Sequence, residues 1–181
     1  MLDLQAQTEE FLLPGGDEWI LRVREKAFES MKRHDGCAQV IVDAFMQEWG
    51  ISDPWVTRSA TAFLGGMLSS YTCGVHVAGM MVLGLLIGRE NIEEGLDGVF
   101  PIAMPGQELI RRLNEKIGSH SCKELTGVDF TDLNAALEFH ASQEHEKCFD
   151  RVGDGAAEIA LFIRELNQKG ELFRHSSQAV Y

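Results

Sequence analysis

Between Ser59 and Gly88 the chain carries no charged side chain, and this stretch sets the terms for any fold. An uncharged run of that length belongs either in a bilayer or inside a protein. Gly65-Gly66, Ser69-Ser70 and Tyr71-Thr72-Cys73-Gly74 interrupt it, leaving Val77 to Ile87 as its continuous apolar part. A spanning helix needs about 20 apolar residues, so no membrane insertion is expected. The segment from Cys73 to Gly88 is apolar on every side, which suits a central helix enclosed by others. Gly74, Ala78, Gly79 and Gly84 let neighbouring helices approach it closely. Each Gly inside a helix costs about 1 kcal/mol relative to Ala, so close packing or a bound group has to offset them.

The segments around this centre have helical spacing. Asp17 to Arg33 places Ile20, Val23, Ala27 and Met31 three and four residues apart. Cys37 to Trp49 continues with Val40, Ile41, Ala44 and Phe45, and Gly50 ends it. Pro54 suits the first position of a further helix reaching about Leu64, capped by Ser52 or Asp53. Gln107 to Ile117 is amphipathic through Leu109, Ile110, Leu113 and Ile117. A long helix from about Ser142 to Lys169 aligns Ala141, His145, Cys148, Val152, Ala156, Ile159, Ile163 and Leu166 in one seam. No alternating strand run is bounded by hairpin turns, so no sheet is expected. The expected fold is therefore all-α, a compact single-domain helical bundle around the central apolar, Gly-rich helix. Its divisions are an N-terminal helical extension over residues 1–30, a four-cysteine domain over 31–168 and a tail over 169–181 that is mobile or docked on a partner. Whether the small-residue helix packs within one chain or across a homodimer is left open.

The 181 residues carry a formal charge of -12. Phosphate backbones are bound through Lys and Arg by counterion release, so nucleic acid is not an expected partner. A chain of this size buries roughly 70% of its unfolded surface and needs neither disulfides nor zinc merely to fold. Its four cysteines, Cys37, Cys73, Cys122 and Cys148, therefore want another explanation. No basic segment leads into an apolar run at the start of the chain, so a secretory signal is not expected and a cytoplasmic location is. There, cysteines more often serve metal binding or catalysis than structural bridges. CxxC, CxxCH and zinc-finger spacings are absent, as are GxGxxG, Walker and GxSxG motifs. Nothing at residue level points to an enzymatic turnover.

Three cysteines fall at expected helix starts. Cys37 follows Asp35-Gly36, Cys73 follows Thr72, and Ser121-Cys122-Lys123-Glu124 matches a capping box. A helix N-terminus presents free N–H groups and the positive end of the helix dipole, which favour thiolate over thiol. Cys148 lies on the core-facing seam of the last helix and can meet the others inside the bundle. Free cysteine also packs as a small hydrophobe, so position alone leaves four inert buried thiols as an alternative.

The local motifs carry a resemblance. They are Gly36-Cys37-Ala38-Gln39-Val40, Gly65-Gly66-Met67 leading to Thr72-Cys73-Gly74, and Met80-Met81-Val82-Leu83-Gly84-Leu85. Ser121-Cys122-Lys123-Glu124-Leu125-Thr126-Gly127 and Lys147-Cys148 with Val152 complete the set. In order and spacing they resemble the C_GCAxxG_C_C family of redox-active proteins, over about Met31 to Leu166. A related domain accompanies an iron–sulfur cluster in split-Soret cytochromes. The resemblance thus implies a helical domain in which Cys37, Cys73, Cys122 and Cys148 are cluster ligands or redox thiols. Haem is not implied, because no CxxCH occurs. Val75 and Ala78 stand where the family pattern has Ala and Gly, so the space beside Cys73 is expected to be smaller or differently shaped.

His76, three residues after Cys73, and His145, three before Cys148, are candidate additional ligands, although each also suits a satisfied core position. His140 and Glu144 share a face with Cys148, while His34, His120 and His175 are expected on the surface. A di-iron site would need Glu-x-x-His pairs, which are missing. The expected function is redox activity, with the four cysteines binding an iron–sulfur cluster or another metal such as zinc for electron transfer or redox sensing alongside an unidentified redox partner protein. A metal-free dithiol–disulfide protein and a helical interaction protein with inert cysteines are the alternatives.

Overall fold

The computed structural model describes residues 16–172. The expected tail from Arg174 to Tyr181 and the first fifteen residues lie outside the described residues. Eight α-helices occupy the described part: α1 (Gly16–His34), α2 (Cys37–Glu48), α3 (Pro54–Ala60), α4 (Gly74–Ile87), α5 (Phe100–Ile117), α6 (Cys122–Thr126), α7 (Leu133–His140) and α8 (Glu146–Gln168). The fold is all-α. Among the described residues the only extended pairing is one isolated antiparallel bridge, Thr72 to Ser121. No helix among them is long and apolar enough to cross a membrane.

α4 is the hub, packed against α2, α5 and α8, while α1 lies along α8 and against α2. Val75, Ala78, Val82, Leu83 and Ile87 of α4 are buried, whereas Leu85 is exposed and Gly84 faces open space. The helix is thus enclosed over most of its surface but not all of it. A Cβ on Gly79 would lie 3.0 Å from Leu113, 3.3 Å from Leu109 and 3.4 Å from Ile159, so this glycine sets the close approach of α5 and α8. The α1 seam of Trp19, Val23, Ala27 and Met31 belongs to the same core. Arg112 of α5 pairs with Glu158 at 2.6 Å and Glu165 at 2.7 Å, fixing α5 to α8. Arg24 to Asp154 at 3.0 Å and Arg164 to Asp17 at 2.7 Å do the same for α1 and α8.

Several boundaries differ from the sequence expectation for identifiable reasons. α3 starts at Pro54 behind Asp53, whose carboxylate accepts from the Trp55 N–H at 2.8 Å, but it tightens into a 3₁₀ turn at Thr61–Phe63 before Leu64. α5 begins at Phe100, seven residues before Gln107. Pro101 sits in its first turn, where an N–H has no intrahelical partner, and Pro105 is accommodated inside it. α8 begins at Glu146 after a 3₁₀ turn, Gln143–His145, rather than at Ser142. α7 had no place in the expected scheme, although Asp132 caps it through the Asn134 N–H at 2.9 Å.

Candidate functional site

Four helix starts converge on one cavity. Cys37 is the first residue of α2, Cys73 caps α4, Cys122 opens α6 and Cys148 lies in the first turn of α8. All four line a cavity of about 40 Å³ together with Met31, Leu64, Gly65, Val75, Phe130, Phe139, His140, His145 and Arg151. One water needs roughly 10–15 Å³ of such space, so the thiols surround a real void. None of the four is in a disulfide. The positive ends of four helix dipoles thereby face a single, almost wholly apolar chamber.

Local backbone chemistry makes this arrangement. Residues 65–70 form an irregular loop in which Gly65, Gly66, Met67, Leu68 and Ser70 all have left-handed φ. The Ser70 hydroxyl ties the loop down, donating to the Val128 carbonyl at 3.0 Å and accepting from the Phe130 N–H at 2.7 Å. The loop then meets the segment before α6. The Cys73 N–H donates to the His120 carbonyl and the Cys122 N–H to the Tyr71 carbonyl, both at 2.7 Å. Thr72 is spent in this bridge, so Cys73 itself caps α4 in place of the expected threonine. Ser121 caps α6 as expected, accepting from the Glu124 N–H at 3.2 Å. The reciprocal half of that capping box is absent, because the Glu124 carboxylate takes the Ser119 hydroxyl instead.

The sulfurs meet hydrogen-bond donors. The N–H groups of Ala38, Gly65 and Gly74 favour a charged Cys37, and that of Val75 favours a charged Cys73. The Thr126 hydroxyl acts on Cys122, and Arg151 Nη1 lies 3.8 Å from Cys148 Sγ. A Cβ on Gly74 would stand 2.2 Å from Cys37 Sγ, so the missing side chain is the seat of that sulfur. A Cβ on Gly66 would stand 2.6 Å from Cys122 Cβ.

The expectation that helix ends lower the thiol pKa is overturned. Burial pushes Cys37 up to about 11, with Cys148 adding to the effect. Burial, and then Cys37, push Cys122 up to about 12. Cys73 is raised further by burial and Cys37, and Cys148 is raised by burial against the opposing Arg151. Desolvation of a charged sulfur outweighs the donors around it, which favours the neutral thiols.

The matching of protein families decides what kind of chain this is. The family model described as "Putative redox-active protein (C_GCAxxG_C_C)" matches residues 36–161, well over half of the chain. The chain belongs to this family. No curated protein and no solved structure matches it. In this C_GCAxxG_C_C chain the matched region reaches from the start of α2 into α8 and includes all four cysteines. Val75 finds room against Gly155 of α8, at which a Cβ would lie 2.2 Å from Val75 Cγ1.

The two candidate histidines part company. His145 is buried and lines the cavity. His76 is equally buried, but its Nε2 pairs with Asn114 Oδ1 of α5 at 3.0 Å and it is not among the cavity's walls. His140 joins the cavity wall, whereas Glu144 is exposed and pairs with Lys147. His34 and His120 are on the surface, and His175 lies outside the described residues. Phe130, Phe139, His140, His145 and Phe149 form a run of edge-to-face rings, with centroids 4.5 Å apart for the two histidines and 5.7 Å for Phe130 and Phe139. This ring cluster closes one side of the cavity. Sequence spacing gave no sign of Asp35, whose carboxylate also reaches this corner.

Proposed function

We propose that Cys37, Cys73, Cys122 and Cys148 together hold an iron–sulfur cluster, making the protein an electron-transfer or redox-sensing module. The observation that carries this reading is the meeting of four unbridged cysteines around one apolar cavity. Four thiolates are the usual ligand set of such clusters, and soft sulfur donors also suit zinc. The residues present fit the group. Gly74 leaves the seat for Cys37 Sγ, and N–H and guanidinium donors are directed at the sulfurs. A bound cluster supplies one-electron chemistry whose potential such donors tune. The protein's part is to hold the sulfurs, direct donors at them and keep water out with Phe130 and Phe139.

Neutral, buried thiols argue against the metal-free dithiol alternative. Thiol–disulfide exchange needs an attacking thiolate, and burial suppresses it at all four positions. A metal ion reverses that balance, since its charge repays the desolvation of the sulfurs it binds. Unbridged cysteines fit a reducing, cytoplasmic setting, and a module of this kind exchanges electrons with a partner protein.

The test is an anaerobic preparation analysed for iron, zinc and acid-labile sulfide per chain, with a visible spectrum before and after reduction. Stoichiometric iron and sulfide, with absorption bleached by reductant and lost in Cys→Ser variants, is the expected result. Zinc alone makes the site structural. Metal-free protein whose four thiols stay inert overturns the reading.

A further inference from the structure

Three polar groups that are not sulfur converge beside the cysteines. Asp35 terminates α1 and comes from before Cys37, His140 ends α7, and His145 lies in the 3₁₀ turn before α8. Their ligand atoms all lie within 4.8 Å of one another. Asp35 Oδ1 is 3.0 Å from His145 Nε2, and Asp35 Oδ2 is 3.8 Å from His140 Nδ1. Those distances suggest ion pairing, but neither contact is a hydrogen bond. Asp35 Oδ1, His140 Nδ1 and His145 Nε2 are all buried and make no hydrogen bond. Three orphaned atoms in one place are costly, because each forfeits its hydration without compensation. His145 is only 6% exposed, so water does not relieve it.

The surroundings favour a cation over a proton as the missing partner. His145 Nε2 is buried, makes no hydrogen bond, and lies within 4.8 Å of the ligand atoms of Asp35 and His140. A neutral imidazole offers such a nitrogen's lone pair to a metal ion when the other ring nitrogen carries the proton. Asp35 sits at φ 58, a left-handed conformation uncommon for a residue other than glycine, and its N–H bonds to the Met31 carbonyl at 3.0 Å. Backbone strain is thus spent where it turns this carboxylate toward the histidines.

We propose that Asp35, His140 and His145 form a binding site for a divalent first-row transition-metal ion, distinct from the four-cysteine site. Two imidazoles and one carboxylate are a common donor set for zinc and ferrous iron, and they leave further coordination positions open. Both histidines line the chamber that the cysteines line. The inference does not depend on what the cysteines hold.

The probe is cobalt(II), titrated into the reduced, metal-depleted full chain. Cobalt bound by sulfur gives intense near-ultraviolet charge-transfer absorption, and cobalt bound by nitrogen and oxygen gives only weak visible bands. The expected result is a binding component without charge transfer, weakened more than about 100-fold in Asp35→Asn and in His140→Gln, beyond the usual effect of outer-shell changes. The sulfur-linked component should persist in both variants. Asn tolerates the left-handed backbone at position 35, so that variant keeps the turn. Zinc(II) added to wild-type protein should also shift the ring nitrogens of His140 and His145 in histidine-selective NMR, a readout that needs no variant. Unchanged cobalt binding in both variants, unmoved histidine resonances, or cobalt uptake only through sulfur overturns the proposal. Loss of the sulfur component alone would instead count against the four-cysteine reading.

Discussion

Gly74 shows how much of the site is decided by a single missing side chain. Ala at this position would place a methyl 2.2 Å from Cys37 Sγ and 3.0 Å from the Ala38 nitrogen. Gly74→Ala is expected to destabilise the fold by about 1–3 kcal/mol through overpacking and to lose most bound iron or zinc, as read by melting and metal analysis. Gly84→Ala on the same helix meets nothing within 4 Å and should stabilise by about 1 kcal/mol without touching metal content. The thiols carry a second expectation at this scale. Cys37 is raised from its ordinary value of 9.0 to about 11, so the folded state holds that proton more tightly than the unfolded chain. Its contribution to the metal-free protein is complete below pH 9 and is lost as pH climbs from 9 to 11, which urea midpoints measured across that window would reveal. The helix-start positions of Cys37 and Cys122 were legible from Gly36 and Ser121. The protonation of the thiols was not, because it depends on what covers them, and residues far along the chain, such as Phe130 and Phe139, supply part of that cover.

Among the helices, contact between α4 and α8 rests on a reciprocal fit. Val75 of α4 occupies the space that the missing side chain of Gly155 leaves on α8. Gly155→Ala should destabilise by about 1–3 kcal/mol, and adding Val75→Ala should recover more than the two single changes predict together. Urea unfolding of the four proteins closes that cycle. Long amphipathic helices were readable from their periodicity, as Val23, Ala27 and Met31 demonstrate in α1, although Trp19 rather than Ile20 opens its buried seam. Short ones were harder. α7 spans Leu133–His140, too few residues for a periodic seam, and only the Asp132 cap marks it. The start of α5 was hidden by Pro101 and Pro105, which read as breakers until their place in the early turns is known. Those two errors have different consequences for the site. α5 supplies no residue to the cavity wall and holds His76 through Asn114, whereas α7 delivers Phe139 and His140 to that wall.

Across the whole molecule, the proposed ligands at positions 37, 73, 122 and 148 would make a bound metal a cross-link between the two halves of the chain. A group that binds only the folded state adds its binding energy to stability. Stripping metal anaerobically with a chelator should therefore lower the melting midpoint. Amide exchange should accelerate most at residues 61–73 and 118–145, which carry the irregular walls, and least in the core of α1 and α8. Uniform acceleration throughout, or none, would mean that the cavity does not bear on folding. The bridge between Thr72 and Ser121 gives this cross-link an unusual starting point. Its two bonds use main-chain atoms alone, from residues 71, 73, 120 and 122. Two of the four sulfurs are consequently spaced by peptide geometry before any metal arrives, and substitution of Tyr71 or His120 can leave that spacing intact. Half of the chelate is preformed in a way that mutation of its neighbours cannot easily erase.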